Sequence, residues 1–250
     1  MMNNEKTLDK MRLMRLFGMY DTFKTSLEST LKETLTVDQF VAMLVSNEWD
    51  DRKNKAVERA IKMANFRYKA SIEQIDYSFD RGLDQNQVHR LSELEFVKER
   101  KDLFITGPTG TGKSYLASAL GYHACQMGYK VFYGSTAKLM ANLKLAKAKG
   151  TVITELKRIE RMDLLILDDF GLQPFDNQAR SILLDIIEDR HQKRSTIITS
   201  QIPVKDWYDI IGEKTIADAV LDRIVHHALR VELYGESLRK KKSKNENVYL

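Results

Sequence analysis

The 250 residues include one cysteine, three prolines and two tryptophans. The lone thiol, Cys125, excludes an internal disulfide and fits a reducing cytosol. Its place on the apolar side of a helix marks it as a buried structural group. With so few prolines, little interrupts helices and strands. No apolar run approaches the ~20 residues of a membrane-spanning helix, and the polar, then amphipathic, N-terminus lacks the pattern of a secretory signal. A strong excess of one charge is missing too: 40 basic residues against 35 acidic ones leave a net charge of +5. That balance permits nucleic-acid binding without establishing it. Hydrophobic residues at 43% and charged ones at 30% exclude long disordered stretches. The remaining possibility is a globular chain, long enough for one large domain or a medium one with a small companion.

Helical periodicity fills the region 1–70. Leu13, Leu16, Phe17 and Tyr20 recur at the spacing of one helix face. Thr36 and Gln39 have capping-box spacing ahead of an apolar stripe of Val37, Phe40, Val41 and Leu44. A third periodic stretch, 51–68, places Val57, Ala60, Ile61 and Ala64 on one side and Arg52, Lys55, Arg59 and Lys62 on another. Such a basic stripe suits a phosphate backbone, and equally a plain solvated face. Residues 71–100 read as a connector with a short helix over 86–96. Beyond it, strands expected at 102–106, 130–134, 163–168, 196–200 and 230–233 alternate with helices. The alternation predicts an α/β fold with a five-stranded parallel sheet covered on both faces. Ligands in such sheets bind beyond the carboxyl ends of the strands.

The chemistry-bearing motif is Gly107-Pro108-Thr109-Gly110-Thr111-Gly112-Lys113-Ser114, set between the first strand and a helix that begins near Tyr115. This is the P-loop pattern G-x-x-x-x-G-K-[ST] in its strand–loop–helix setting. Its glycines let successive N–H groups point at one anion, and the helix N-terminus adds further donors. Lys113 reaches the outer phosphates, and the Ser114 hydroxyl completes a magnesium shell. ATP and Mg²⁺ are therefore the expected ligands, with residues 107–115 around the nucleotide. The apolar run Leu164-Leu165-Ile166-Leu167 ends in Asp168 and Asp169. Asp168 is expected on the metal and Asp169 on the attacking water. Thr199-Ser200-Gln201 ends the next strand, where a polar group would contact the γ-phosphate. Gln201 is the first choice, with Ser200 and Thr199 open. His226 and His227 form no metal pair, because adjacent helical residues diverge by about 100°.

Taken in order, these segments resemble an AAA+ ATPase of the initiator and helicase-loader group. They are most similar to the IstB-like helpers of bacterial insertion-sequence transposases. The resemblance is carried by Met14-Arg15-Leu16-Phe17-Gly18-Met19, Asn47-Glu48-Trp49, Arg81-Gly82-Leu83-Asp84, the P-loop, the run 165–172, Thr199-Ser200-Gln201-Ile202-Pro203 and Leu221-Asp222-Arg223-Ile224-Val225-His226. It implies hydrolysis of ATP to ADP and phosphate, stimulated by DNA, in a homo-oligomer whose sites are shared between subunits. Arg223 then acts as an arginine finger in a neighbour's site. It also implies assembly on duplex DNA with little sequence preference, a cognate transposase as partner, and a place in the bacterial cytoplasm at the nucleoid. A replicative helicase loader is the alternative within the same group. The expected division is 1–70 as a helical DNA- or partner-binding domain, 71–100 as a linker and approach to the nucleotide pocket, and 101–250 as the ATPase domain. Two helical stretches between the second and third strands carry Lys138, Lys144, Lys147 and Lys149 as further DNA-binding candidates. About 16 residues follow the last strand, too few for a full helical lid. They include Arg239, a candidate second sensor, in a basic tail.

Overall fold

Helices α1 (Met2–Leu13) and α2 (Phe17–Glu28) and most of α3 (Val37–Ala64) form one compact unit, residues up to Arg59; the remainder of the chain forms a second. This computed structural model describes residues 2–28 and 35–238, so Arg239 and the basic tail lie outside the described residues. The stripe Leu13–Tyr20, expected on one helix, is split between two: Arg15 takes a left-handed φ of 59° and turns the chain between α1 and α2. The capping box at α3 forms in both directions, Thr36 N–H to Gln39 Oε1 at 3.0 Å and Gln39 N–H to Thr36 Oγ1 at 3.5 Å. From there α3 runs unbroken for 28 residues. The two periodic stretches expected at 37–44 and 51–68 are thus one helix, because no proline or glycine lies between them to stop it. Buried Glu48 of α3 accepts the Gly18 and Met19 N–H groups at 2.9 and 3.3 Å, satisfying orphan donors in the first turn of α2. A Cβ on Gly18 would lie 2.4 Å from the Asn47 carbonyl oxygen, so only glycine permits this approach.

The second unit is built on five parallel strands: β1 (Leu103–Thr106), β2 (Val131–Ser135), β3 (Leu164–Phe170), β4 (Ser195–Ser200) and β5 (Leu229–Glu232). Their order across the sheet is β2-β3-β4-β1-β5. The connector holds α4 (Gln85–Ser92), capped by the Asp84 carboxylate, and α5 (Glu95–Lys98). The single helix expected over 86–96 is broken by Leu94, whose φ of 56° is left-handed. Helices α6 (Lys113–Gln126), α7 (Thr136–Ala148), α8 (Val152–Glu160), α9 (Asn177–Arg190), α10 (Trp207–Ile211) and α11 (Lys214–Val225) complete the unit.

Alternation along the central strands feeds two apolar cores. Leu103, Ile105, Leu164, Ile166 and Ile197 join Leu116 and Leu120 of α6. Phe104, Leu165, Leu167 and Ile198 face the other way, towards Leu139 and Leu143 of α7, Leu183 and Ile187 of α9 and Val220 of α11. Burial on both faces is why these strands read as continuous apolar runs. Buried Arg190 ties the amino ends of the strands together, donating to the carbonyl oxygens of Ile159 and Met162 at 2.9 and 2.8 Å and to Thr196 Oγ1 at 3.3 Å. Beside it Asp102 accepts the Thr196 N–H at 2.7 Å, and burial pushes its carboxyl up to about 7. The opposite, carboxyl end of the sheet carries the loops that matter for chemistry.

Candidate active site

The loop from Gly107 to Gly112 leaves β1 and turns into α6. Gly107 has φ 142°, and a Cβ there would lie 2.1 Å from the Leu233 carbonyl oxygen; Gly112 has φ 101°, and its Cβ would lie 2.5 Å from Arg81 Nη1. Both positions therefore require glycine. Buried Arg81 props the loop from behind, donating to Thr111 O at 2.9 Å and Asp76 O at 2.7 Å. Lys113 bends back over the loop, its ammonium donating to Gly107 O at 2.6 Å and Pro108 O at 2.7 Å. A cavity of about 540 Å³ opens here, lined among others by Thr109, Gly110, Gly112, Lys113, Ser114, Tyr115, Asp169 and Gln201.

Asp168 is the centre of the polar cluster. It is fully buried, and its Oδ1 accepts the Ser114 hydroxyl at 2.7 Å. The Thr199 hydroxyl and the Tyr133 phenol donate to the same carboxylate. Burial and the neighbouring carboxylate hold that phenol protonated far above its ordinary range. Thr199 Oγ1 also accepts the Asp169 N–H at 3.1 Å. A register shift against β4 falls between Leu167 and Phe170, and Asp169 has φ 56°. In a regular strand two adjacent side chains face opposite ways; here both carboxylates converge on one cation, Arg67. Its Nη1 lies 3.1 Å from Asp169 Oδ2 and 3.6 Å from Asp168 Oδ2.

The structure brings Lys113, Ser114, Asp168 and Asp169 together at the mouth of the loop. Gln201 lines the cavity and is exposed, while Thr199, held open as an alternative, is the residue bonded to the acids. Arg223 does not line this cavity. It donates to Ala219 O at 2.7 Å and lies 3.7 Å from Glu188 of α9. Arg67, Arg81 and Tyr133 are missing from the sequence-based site: Arg67 follows α3, Tyr133 comes from β2, and Arg81 stands in the connector segment Arg81-Gly82-Leu83-Asp84, for which the sequence predicts no role at the nucleotide.

Among the DNA-binding candidates, Arg52 and Lys55 pair with Glu48 and Asp51 along α3 at 2.6 and 2.7 Å. Arg59 donates to Lys55 O at 3.1 Å. Lys144 is tied to Asp176, and Lys147 is exposed. Lys62 and Lys149 line one groove with Arg158, and Lys138 lines the adjoining one.

A family model described as IstB-like ATP binding protein matches residues 9–246. The chain belongs to that family. Among its relatives, an insertion sequence ATP-binding protein of Sinorhizobium fredii is 42% identical over 94% of this chain and 96% of its own length. The ATP-binding protein of insertion sequence IS21 from Pseudomonas aeruginosa is 32% identical over 89% of this chain and 84% of its own. The fold resembles the crystal structure of DnaI, with a TM-score of 0.58 and 22% identity over 70% of this chain and 93% of that one. The family member described here thus has the AAA+ fold, with a P-loop facing an acidic pair at the carboxyl ends of its strands.

Proposed function

We propose that this chain is a DNA-binding ATPase that assembles on duplex target DNA as an ATP-dependent homo-oligomer and there recruits and stimulates a cognate transposase. The observation that carries the hydrolytic half is the 2.7 Å bond between Ser114 and Asp168, with Asp169 beside it on the cavity wall. Both are hard oxygen donors, already adjacent, which fits Mg²⁺. When bound, that ion would neutralise charge on the phosphate oxygens.

The remaining work falls to the chain. The N–H groups of residues 109–114 and the start of α6 bind the phosphates. Lys113 exchanges its two loop carbonyls for phosphate oxygens. Asp169 accepts a hydrogen bond from the attacking water and aims it, and Gln201 or Thr199 holds the γ-phosphate side of the cleft. Arg223 of a neighbouring copy supplies the guanidinium that offsets charge on the transferring phosphoryl group. Lys62, Lys138, Lys149 and Arg158 lie along two adjoining grooves and suit the phosphates of a duplex. The relatives are insertion sequence ATP-binding proteins, which supports transposition as the process and the bacterial cytoplasm, at the nucleoid, as the place.

ATP turnover measured with and without duplex DNA, alongside sedimentation with and without nucleotide, tests the reading. DNA should raise turnover, and ATP should drive assembly. A monomer that ignores DNA and phosphorylates a small metabolite would overturn it.

A further inference from the structure

Arg67 is the cation that faces the acidic pair, and nothing in the P-loop chemistry requires it. It follows the end of α3 by three residues and is separated from Asp169 by 102 positions in sequence. Its guanidinium meets Asp169, Asp168 and the ring of Tyr68, whose centroid lies 5.4 Å away. It lines the nucleotide cavity together with Lys113 and Ser114, and it also borders the neighbouring groove that holds Lys138. The side chain is 46% exposed, so it can leave the carboxylates without unfolding anything. Asp168 is wholly buried and has no such freedom.

We propose that Arg67 is a second arginine of the nucleotide site, supplied by the same subunit, which covers Asp168 and Asp169 before nucleotide arrives and then moves onto the terminal phosphate. The inference rests on reading the cleft as a Mg²⁺–ATP hydrolysis site. Two adjacent carboxylates carry two negative charges, and the guanidinium offsets one of them while it stays. A divalent cation held by Asp168 repels the guanidinium across a few ångströms. ATP brings the γ-phosphate into the same cavity, an anion for which a planar guanidinium is well suited. ADP offers no such anion, so Arg67 discriminates between the two nucleotides.

Arg67→Ala and Arg67→Gln, compared with the parent chain, test this in three titrations. Mn²⁺ added to nucleotide-free protein and followed by electron paramagnetic resonance should bind about tenfold more tightly to both variants, because the acids have lost their competing cation. Fluorescent ATP and ADP should show the parent's preference for ATP reduced about tenfold, with ADP affinity unchanged. Turnover should fall by about two orders of magnitude, and Arg67→Lys should recover part of it. Unchanged Mn²⁺ affinity, or equal losses for ATP and ADP, would overturn the proposal. A parent chain that binds both nucleotides yet never turns ATP over would defeat the hydrolysis reading alone; the first two titrations would still decide Arg67.

Discussion

Ser114 of the P-loop donates its hydroxyl to Asp168 at the end of β3, 2.7 Å away, so one hydrogen bond joins the two motifs. Replacing either partner should uncouple nucleotide affinity from the divalent cation. For Ser114→Ala and Asp168→Asn, titration with a fluorescent ATP analogue should give the same affinity with Mg²⁺ as with EDTA. Turnover should fall by at least about a hundredfold.

Asp169 sits at φ 56°, a conformation that asparagine tolerates and most other residues resist. Asp169→Asn therefore changes the charge while leaving the backbone at ease. It should bind ATP as the parent does and lose turnover by about two orders of magnitude or more. A variant that retained full turnover in a phosphate-release assay would remove Asp169 from the water-aiming role.

Arg223 lies 3.7 Å from Glu188 and outside the nucleotide cavity of its own subunit. If it serves a neighbour, Arg223→Ala should keep ATP binding and lose turnover about a thousandfold. Mixing it with Lys113→Ala subunits should restore part of the activity, because some interfaces then combine an intact finger with an intact P-loop. Absence of rescue at every mixing ratio would argue against an arginine supplied in trans.

Asp102 holds its proton up to about pH 7 in the folded chain, against an ordinary carboxyl value of 3.8. Between these values the folded state binds more protons than the unfolded one, so stability falls as pH rises from about 4 to 7 and is level above. Asp102→Asn keeps an oxygen for the Thr196 N–H and removes the titration. Melting temperatures followed across this range should lose that downward slope, and the variant should exceed the parent at pH 8.

Salt dependence separates the basic residues by their surroundings. Lys62 and Lys149 line an open groove, whereas Lys144 already has Asp176 as a partner. Alanine at either groove position should lower the slope of log affinity against log salt by about one for duplex DNA. Lys144→Ala should move it less. Fluorescence anisotropy over a salt series measures both.

The strands and the P-loop were legible because their signals are local. β3 reads as Leu-Leu-Ile-Leu because both of its faces are buried, and Gly107 and Gly112 sit where no side chain fits. The departures have equally physical causes. Arg15 and Leu94 adopt left-handed turns that their side chains do not advertise, and they cut helices whose apolar spacing continues across the break. Two partners of Asp168 escaped notice for another reason: Tyr133 reaches it from the neighbouring strand, and Arg67 from beyond the end of a distant helix. Contacts at such separations leave no periodic trace.

Cys125 lies on α6, the helix that starts at Lys113, and is wholly buried with its thiol pushed up to about 12. A thiol so placed reacts only when its helix opens. The chain thus carries its own clock for the opening of α6. The labelling rate of one sulfur reports how firmly the far end of the same helix is held, and phosphates bound at Lys113 should slow that clock without touching it.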